Sequence, residues 1–153
     1  EQIEAAYIMT VRLAVRGVIL QDDRLLLVNA YQGDESHLWC APGGGVVAHK
    51  GLQTNLRREI YEELGVDITV GDPCMINEFH APERGFHQVE IFFRASLAGW
   101  MPKDWQDTEG VVNRKIWASR NELAQLHVKP DSLARVAWGT ENVCVDGLER
   151  LIV

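Results

Sequence analysis

The residues of this sequence whose types and spacing best suit chemistry are three carboxylates on one predicted helix. Glu59, Glu62 and Glu63 lie three and four residues apart, so their side chains share one helix face. Carboxylates held this close repel one another unless a positive charge lies among them. Mg²⁺ takes oxygen ligands and retains several waters. The pattern therefore predicts a site for a hard divalent cation on this helix face.

A glycine-rich segment and an apolar helix face must hold these carboxylates in position. The segment Gly43–Gly45 precedes the helix, and its backbone can approach a ligand closely because it carries no side chains. On the opposite helix face Leu56, Ile60 and Leu64 recur every fourth residue, which is typical of a helix packed on a core. We therefore predict a helix over residues 52–64.

The two ends of this helix carry signals of different strength. At the C-terminal end, Gly65 is a strong helix-terminating residue, because glycine adopts the left-handed conformation at little cost. At the start, Gly51 is a weaker N-cap than Ser or Thr, and Lys50 places a positive charge at the positive end of the helix dipole. Arg58 lies four residues before Glu62 and can pair with it. Something other than local helix stability must favour the residues at the start, or tertiary packing tolerates them.

The stretch Gly44–Val66 resembles the signature of the Nudix hydrolase family. That signature reads Gly, five residues, Glu, seven residues, Arg-Glu, an aliphatic residue, any residue, Glu-Glu, any residue, Gly and an aliphatic residue. Eight of its nine defined positions match here, namely Gly44, Arg58, Glu59, Ile60, Glu62, Glu63, Gly65 and Val66. At the remaining position Lys50 stands where the family has glutamate.

The resemblance implies a fold, a reaction and a cofactor. The fold is the Nudix fold, an α/β/α sandwich around a mixed β-sheet. The reaction is hydrolysis of the pyrophosphate linkage in a nucleoside diphosphate joined to another group X. Such substrates include nucleoside triphosphates, ADP-ribose, sugar nucleotides and dinucleoside polyphosphates. The cofactor is Mg²⁺, with Mn²⁺ as the alternative, because divalent ions neutralise phosphate oxygens and activate water.

The resemblance also assigns roles to the matched residues. The implied metal ligands are Glu59, Glu62, Glu63 and the backbone carbonyl of Gly43. Either Glu59 or Glu62 also orients or deprotonates the attacking water, and the sequence does not divide these roles. Arg58 is an implied catalytic residue, which fixes the side-chain rotamer of Glu62 by pairing with it. The implied substrate contacts are Gly43, Gly44, Gly45 and Lys50.

One further carboxylate is expected from a distant loop, because family members often supply one there. Glu109 is the first choice, since it precedes the strand predicted at residues 111–118. Asp107 and Glu90 are the alternatives. For each of them the competing interpretation is an ordinary surface acid.

The exchange at Lys50 leaves two hypotheses open. Lysine in place of glutamate changes the charge by two units near the expected metals. An inward side chain would weaken cation binding or contact a substrate phosphate as a point charge, whereas an outward one would matter little. The first hypothesis is an active metal-dependent pyrophosphohydrolase, and the second is a Nudix-fold domain that binds a nucleotide or a protein with impaired catalysis. Retention of three mutually repelling glutamates favours the enzyme.

Length and composition restrict the class of protein. A chain of 153 residues predicts one domain over residues 1–153. The net charge of −7 argues against nucleic-acid partners, which require clustered Lys and Arg. The sequence has no apolar run of about 18 residues and no signal-peptide pattern, and its three widely spaced cysteines indicate reduced thiols. We therefore expect a cytoplasmic protein without a membrane partner, and the resemblance adds that many relatives are homodimers.

The remaining periodicity predicts a mixed sheet with helices on both faces. Predicted strands span residues 10–20, 24–30, 39–47, 67–70, 75–80, 86–97 and 111–118, and the glycines are expected to interrupt the strand at 39–47. Ser119 is predicted to cap a short helix, with Glu122 completing a capping box. Pro130 is predicted to start a last helix through Trp138, and the tail from residue 143 fits either a strand or a helix. Five aromatic residues are candidates for stacking on a base and can equally be core or rim residues: Tyr31, Trp39, Phe86, Trp100 and Trp105.

Overall fold

The computed structural model describes residues 10–29, 37–108, 110 and 114–151. In this part of the chain the strands are β1 (Arg12–Gln21), β2 (Arg24–Asn29), β3 (Leu38–Trp39), β4 (Gly43–Gly45), β5 (Ile68–Ala81), β6 (Phe86–Leu97), β7 (Arg114–Ser119), β8 (His127–Val128) and β9 (Cys144–Arg150). The helices are α1 (Leu52–Leu64), α2 (Arg120–Leu123) and α3 (Leu133–Ala137), and a 3₁₀ turn spans Pro82–Arg84.

Seven of the described strands form one mixed sheet. Six of them are ordered β7-β2-β1-β6-β5-β9, and β4 pairs with β1 beside this path. The β1–β6 and β5–β9 pairs are parallel, and the other pairs in this sheet are antiparallel. Strand β1 is therefore central, because it contacts β6 along one edge and both β4 and β2 along the other.

Each face of the sheet packs on its own apolar core, because side chains alternate along every strand. On one face Val15 and Ile19 of β1 and Phe93 of β6 pack with α1. On the other face Val18 and Phe92 pack with residues of α3. The predicted sandwich of a mixed sheet between helices is confirmed.

Helix α1 has the bounds that the sequence predicted. Leu56, Ile60 and Leu64 are buried, so the apolar face lies on the sheet. Gly65 ends the helix with φ +68°, and its N–H donates to the carbonyl of Tyr61 at 2.8 Å. Gly51 is the N-cap and contributes no side-chain hydrogen bond. None of the described helices is long and apolar enough to cross a membrane.

Two strand predictions differ from the structure. Where two short strands were expected between residues 67 and 80, β5 is one strand whose register with β6 is irregular between Val70 and Met75. Pro73 lies in this irregular part and has no N–H to donate, yet the long neighbouring strand β6 keeps both halves in one ladder. The strand expected over residues 39–47 is interrupted before the glycines rather than at them, since β3 ends at Trp39 and Gly43–Gly45 form β4.

The C-terminal third differs mainly in its boundaries. The capping box of Ser119 and Glu122 is confirmed. Helix α3 begins later than predicted, because Pro130 lies in the preceding turn and accepts a hydrogen bond from the N–H of Leu133 at 3.0 Å. The ambiguous tail is strand β9, which pairs in parallel with β5 at the edge of the sheet. The strand predicted at residues 111–118 is β7, and residues 111–113 lie outside the described part.

Candidate active site

The glycine-rich segment forms strand β4, which pairs with residues 14–16 of β1. The φ of Gly43 is +152°, and a side chain there would overlap the backbone of Val15. A side chain at Gly44 would overlap the carboxylate of Glu59. Glycine is therefore required at position 43, where the backbone of β4 is pressed against β1, and a side chain at position 44 would displace the carboxylate of Glu59.

Glu63 has the most unusual environment of the three helix carboxylates. Its Oε1 accepts a hydrogen bond from the N–H of Gly43 at 3.2 Å. Its Oε2 is buried and has no hydrogen-bond partner in the described part of the chain. Burial raises the pKa of Glu63 well above its usual value, the charges of Glu59 and Asp107 raise it further, and Arg16 opposes the shift. A cation at Oε2 would remove this penalty on the ionised form.

Arg58 supplies positive charge to the other two carboxylates. The predicted pair with Glu62 is confirmed, with Arg58 Nη1 at 3.4 Å from both carboxylate oxygens. Nη1 also donates to Oε1 of Glu59 at 3.0 Å, which the spacing alone did not predict. Nη2 donates to the carbonyl of Gly45 at 3.1 Å. Arg58 therefore ties the carboxylate face of α1 to the glycine strand.

The carboxylate oxygens of α1 are of the kind that binds a divalent cation, although they do not surround a single point. In the described residues no group of three or more His, Cys, Asp or Glu side chains is close enough together to hold a metal ion. The unpartnered Oε2 of Glu63 and the neighbouring carboxylate of Glu59 are nevertheless hard oxygen donors of the kind that Mg²⁺ prefers. Glu62 is already engaged by Arg58, so its side chain would have to share its oxygens between arginine and metal.

Asn55 is a site residue that the sequence reasoning missed. Its side chain is fully buried, and Oδ1 accepts from the N–H of Val47 at 2.8 Å and from Nη2 of Arg58 at 3.0 Å. Its Nδ2 donates to the carbonyls of Gly51 at 2.8 Å and Lys50 at 3.1 Å. Asn55 thereby joins the loop after the glycines to the arginine beside the acids. A buried amide inside a helix was the available signal, because Asn is unfavourable there without partners.

Lys50 lies in the loop between the glycine strand and helix α1. The residue is exposed, and the structure fastens its backbone rather than its side chain, through the Asn55 bond to its carbonyl. The adjacent His49 adopts a positive φ of 70°. The shape of the loop therefore depends on the backbone and on Asn55, and the ammonium group of Lys50 is not part of what holds it.

Of the candidates for a carboxylate from a distant loop, the described structure places Asp107 near the helix acids. The charge of Asp107 contributes to the raised pKa of Glu63. Its loop is fastened to the end of α1, since Nε1 of Trp105 donates to the carbonyl of Glu62 at 2.9 Å. Glu109, the first choice from the sequence, lies outside the described residues.

Glu90, the remaining alternative, belongs to a buried polar cluster on the sheet face opposite α1. It forms an ion pair with Nε of Arg16, and it accepts from Nε2 of Gln88 at 3.1 Å and Nδ2 of Asn77 at 3.4 Å. Although burial opposes the charge, the Glu90 carboxylate raises the pKa of Arg16 above its ordinary value. Arg16 also donates to the carbonyl of Ala41 at 2.9 Å, two residues before the glycine strand. Arg16 therefore links this cluster to the glycine strand.

Two cavities adjoin on this sheet face and share Arg16, Phe79 and Leu151 in their walls. The inner cavity has a volume of about 190 Å³, and its walls include Asn77, Glu90 and Lys129. The arginine cavity has a volume of about 410 Å³ and is lined by Arg12, Arg16, Arg84, Phe79, Phe86, Gln88 and Leu151. Because Arg16 lines both cavities and donates to the carbonyl of Ala41, both cavities adjoin the segment that leads into the glycine strand.

The aromatic candidates have different positions in the structure. Phe86 lines the arginine cavity, whereas Trp39 is buried in the core. Trp105 packs against Gly65 and edge-on against Tyr61 with ring centroids 5.5 Å apart. Trp100 is 94% exposed, and Tyr31 lies outside the described residues. Phe86 is therefore the one of the four described candidates that lines either cavity, and Phe79 beside it was missed.

Comparisons with known proteins give consistent results. A family model described as the NUDIX domain matches residues 10–138. The CTP pyrophosphohydrolase of Escherichia coli K12 is 28% identical over 119 residues, which are 76% of this chain and 82% of that protein. A MutT NUDIX hydrolase from Burkholderia pseudomallei superposes with a TM-score of 0.71 at 21% identity, covering 85% of this chain and 99% of that one. An ADP-ribose pyrophosphatase from Streptococcus suis 89-1591 superposes with a TM-score of 0.63 at 20% identity, covering 90% and 100%.

The sandwich fold, the glycine strand beside a carboxylate helix and these matches together define a hydrolase of pyrophosphate bonds. The chain belongs to the NUDIX family, since the family model covers most of its length. Nudix hydrolases act on small nucleotide derivatives and generally use divalent metal ions, typically Mg²⁺.

Proposed function

We propose that this protein hydrolyses the pyrophosphate linkage of a nucleoside diphosphate joined to another group X, with Mg²⁺ or Mn²⁺ held by Glu59, Glu62 and Glu63. The observation that carries the proposal is the Oε2 atom of Glu63, which is buried and has no hydrogen-bond partner among the described residues. The other carboxylate oxygen, Oε1, accepts a hydrogen bond from the N–H of Gly43 in the glycine strand. A buried carboxylate oxygen without a donor is costly unless a cation meets it. A bound divalent ion supplies neutralised phosphate oxygens and an activated water.

The residues of the chain have separate tasks in this proposal. Gly43, Gly44 and Gly45 let the backbone of β4 lie directly against β1, Glu59 and Arg12. They are the proposed backbone contacts of the diphosphate, and the carbonyl of Gly43 is a further candidate metal ligand. Arg58 holds Glu59 and Glu62 in fixed positions, and either of these acids orients the attacking water. Asp107 is the acid that we assign to the distant loop, and Glu109 stays a prediction.

The cavities on the opposite sheet face support a nucleotide as the substrate. The inner cavity combines apolar walls from Leu38 and Phe79 with polar groups of Asn77 and Glu90. Such a mixture suits a base and a ribose, which offer both flat apolar surface and hydrogen-bonding edges. Because Arg16 joins this cavity to the glycine strand, a nucleoside bound there would have its phosphates directed towards α1.

A substrate panel with and without metal tests the proposal. We expect release of phosphate, pyrophosphate or nucleoside monophosphate from at least one of the nucleoside triphosphates, ADP-ribose, sugar nucleotides and dinucleoside polyphosphates, and only when Mg²⁺ or Mn²⁺ is present. At a metal concentration 100 times the dissociation constant, Tm should rise by about 5 °C or more, since binding then contributes about 2.7 kcal/mol. Tight nucleotide binding without hydrolysis or metal dependence would instead support the non-catalytic binding domain.

Lys50→Glu is expected to leave activity at or above the wild-type level. The side chain is exposed, and an exposed charge contributes about 1 kcal/mol or less, so kcat/KM should not fall by more than about fivefold. Lys103→Glu, at another exposed lysine, is the matched control for the change in net charge. A complete loss of activity confined to Lys50→Glu would show that the ammonium group has a required role of its own.

A further inference from the structure

We infer that the arginine cavity binds a second anionic part of the substrate, so that the preferred group X is one that carries its own phosphate charge. This inference rests on the proposed function and narrows its substrate class. The cavity lies on the sheet face opposite the carboxylates and takes its charged walls from Arg12, Arg16 and Arg84. None of the residues that line it is acidic. The chain as a whole has a net charge of −7, so a positively charged cavity differs in sign from the rest of the protein.

Two of the three arginines retain uncompensated charge. Arg16 is neutralised by its ion pair with Glu90. Arg12 donates to the neutral amide of Gln88 and pairs with no carboxylate in the described part of the chain. Arg84 makes no ion pair with any described residue and lies exposed in the turn before β6. The cavity thus offers two guanidinium groups, whose planar donors match phosphate oxygens.

The apolar walls of the cavity strengthen the attraction between these arginines and an anion. Phe79 and Phe86 lie side by side with ring centroids 5.8 Å apart and line the same space. Apolar walls lower the local dielectric, so an anion is attracted more strongly than it would be on an open surface. Gln88 is almost fully buried and holds Arg12 in place. Arg12 and Arg16 are therefore held by buried partners, whereas Arg84 is an exposed arginine at the rim of the cavity.

Arg12 also places the cavity beside the scissile linkage of the proposed substrate. Its guanidinium group lies against Gly45, where an added Cβ would be 2.6 Å from Nη2. Glu59 packs against the neighbouring Gly44, and successive residues of a strand face opposite sides. A diphosphate at the edge of β4 would thus have the carboxylates of α1 on one side and the arginine cavity on the other. A nucleoside triphosphate or polyphosphate can reach both, whereas a neutral sugar on the diphosphate cannot use the arginines.

The test compares two substrates of the same base, a nucleoside triphosphate and a nucleoside diphosphate sugar with an uncharged sugar. For Arg12→Gln and Arg84→Gln we expect the ratio of kcat/KM, triphosphate over sugar nucleotide, to fall about tenfold, as for one lost charge-assisted contact. Arg120→Gln removes an exposed arginine at the start of α2 and should leave the ratio unchanged. An unchanged ratio in both cavity variants would overturn the inference.

A binding measurement separates failure of this inference from failure of the proposed function. Inorganic tripolyphosphate is titrated into the protein by calorimetry in the presence of a chelator, so that neither metal nor catalysis is needed. Weaker binding by Arg12→Gln and Arg84→Gln than by wild type and Arg120→Gln supports the cavity even if no substrate is hydrolysed. Equal binding by all four proteins, or an equal loss in Arg120→Gln, contradicts it. Thermal melts of each variant establish that the fold is retained.

Discussion

Replacing Glu63 with glutamine is expected to lower kcat/KM by about a thousandfold or more, which is about 4 kcal/mol of transition-state stabilisation. Glutamine has nearly the same shape and can still accept the hydrogen bond that the N–H of Gly43 gives to Oε1. At Oε2 it places an NH₂ group, which cannot bind a cation. The metal-dependent rise in Tm should shrink in the same variant.

The stability of Glu63→Gln without metal provides the second half of this test. Burial of the carboxyl group raises its pKa, so ionising it inside the protein is unfavourable. A neutral amide avoids this cost, and Tm in chelator should therefore equal or exceed that of wild type. Glu141→Gln, at an exposed acid, is the control for loss of one negative charge. If activity and the metal response of Glu63→Gln matched those of the control, the carboxylate helix would not be the metal site.

Asn55→Ala is expected to have the largest effect on stability, a loss of about 3 kcal/mol in the free energy of unfolding or about 10 °C in Tm. The buried amide makes hydrogen bonds to Val47, Lys50, Gly51 and Arg58, and truncation removes all of them. The carbonyl of Gly51 keeps its bond from the backbone N–H of residue 55, and Nη2 of Arg58 keeps its bond to the carbonyl of Gly45. Activity should fall as well, since Arg58 would lose one of the bonds that position it. Equilibrium unfolding in urea and steady-state kinetics measure the two effects.

Gln53→Ala is the matched control for Asn55→Ala, because it truncates an exposed amide two residues earlier on the same helix. Its effect should lie within about 0.5 kcal/mol of zero. A loss of stability in Asn55→Ala no greater than in Gln53→Ala would show that other contacts hold the loop. That result would also contradict the inference that Asn55 holds the loop around Lys50.

The parts of the fold that the sequence predicted well depend on short-range regularity. Helix α1 has its predicted bounds because an apolar residue recurs every fourth position and a glycine follows. The capping box of Ser119 was recognisable for the same reason, since its hydrogen bonds join residues three apart. Strand β6 also has its predicted bounds, because an apolar residue occupies every second position from Val89 to Leu97.

The parts that were not predicted depend on partners far away in the chain. Arg16 and Glu90 are 74 residues apart in the sequence. Their ion pair could not be predicted, because it forms only when β1 pairs in parallel with β6. The separate strands expected between residues 67 and 80 become one strand for a similar reason, because β6 is long enough to pair with both halves. The ambiguous tail became a strand because β5 offered it an edge.

By itself the sequence determined the family, the carboxylate helix and the glycines beside it, because spacing along the chain specifies a helix face and a flexible backbone. Only the tertiary structure decided which carboxylate oxygen lies buried without a partner, that Asn55 holds the loop and that three arginines surround one cavity. The physical reason is that burial and charge pairing are properties of the space between elements. The sheet creates that space by bringing β1, β4, β6 and α1 together.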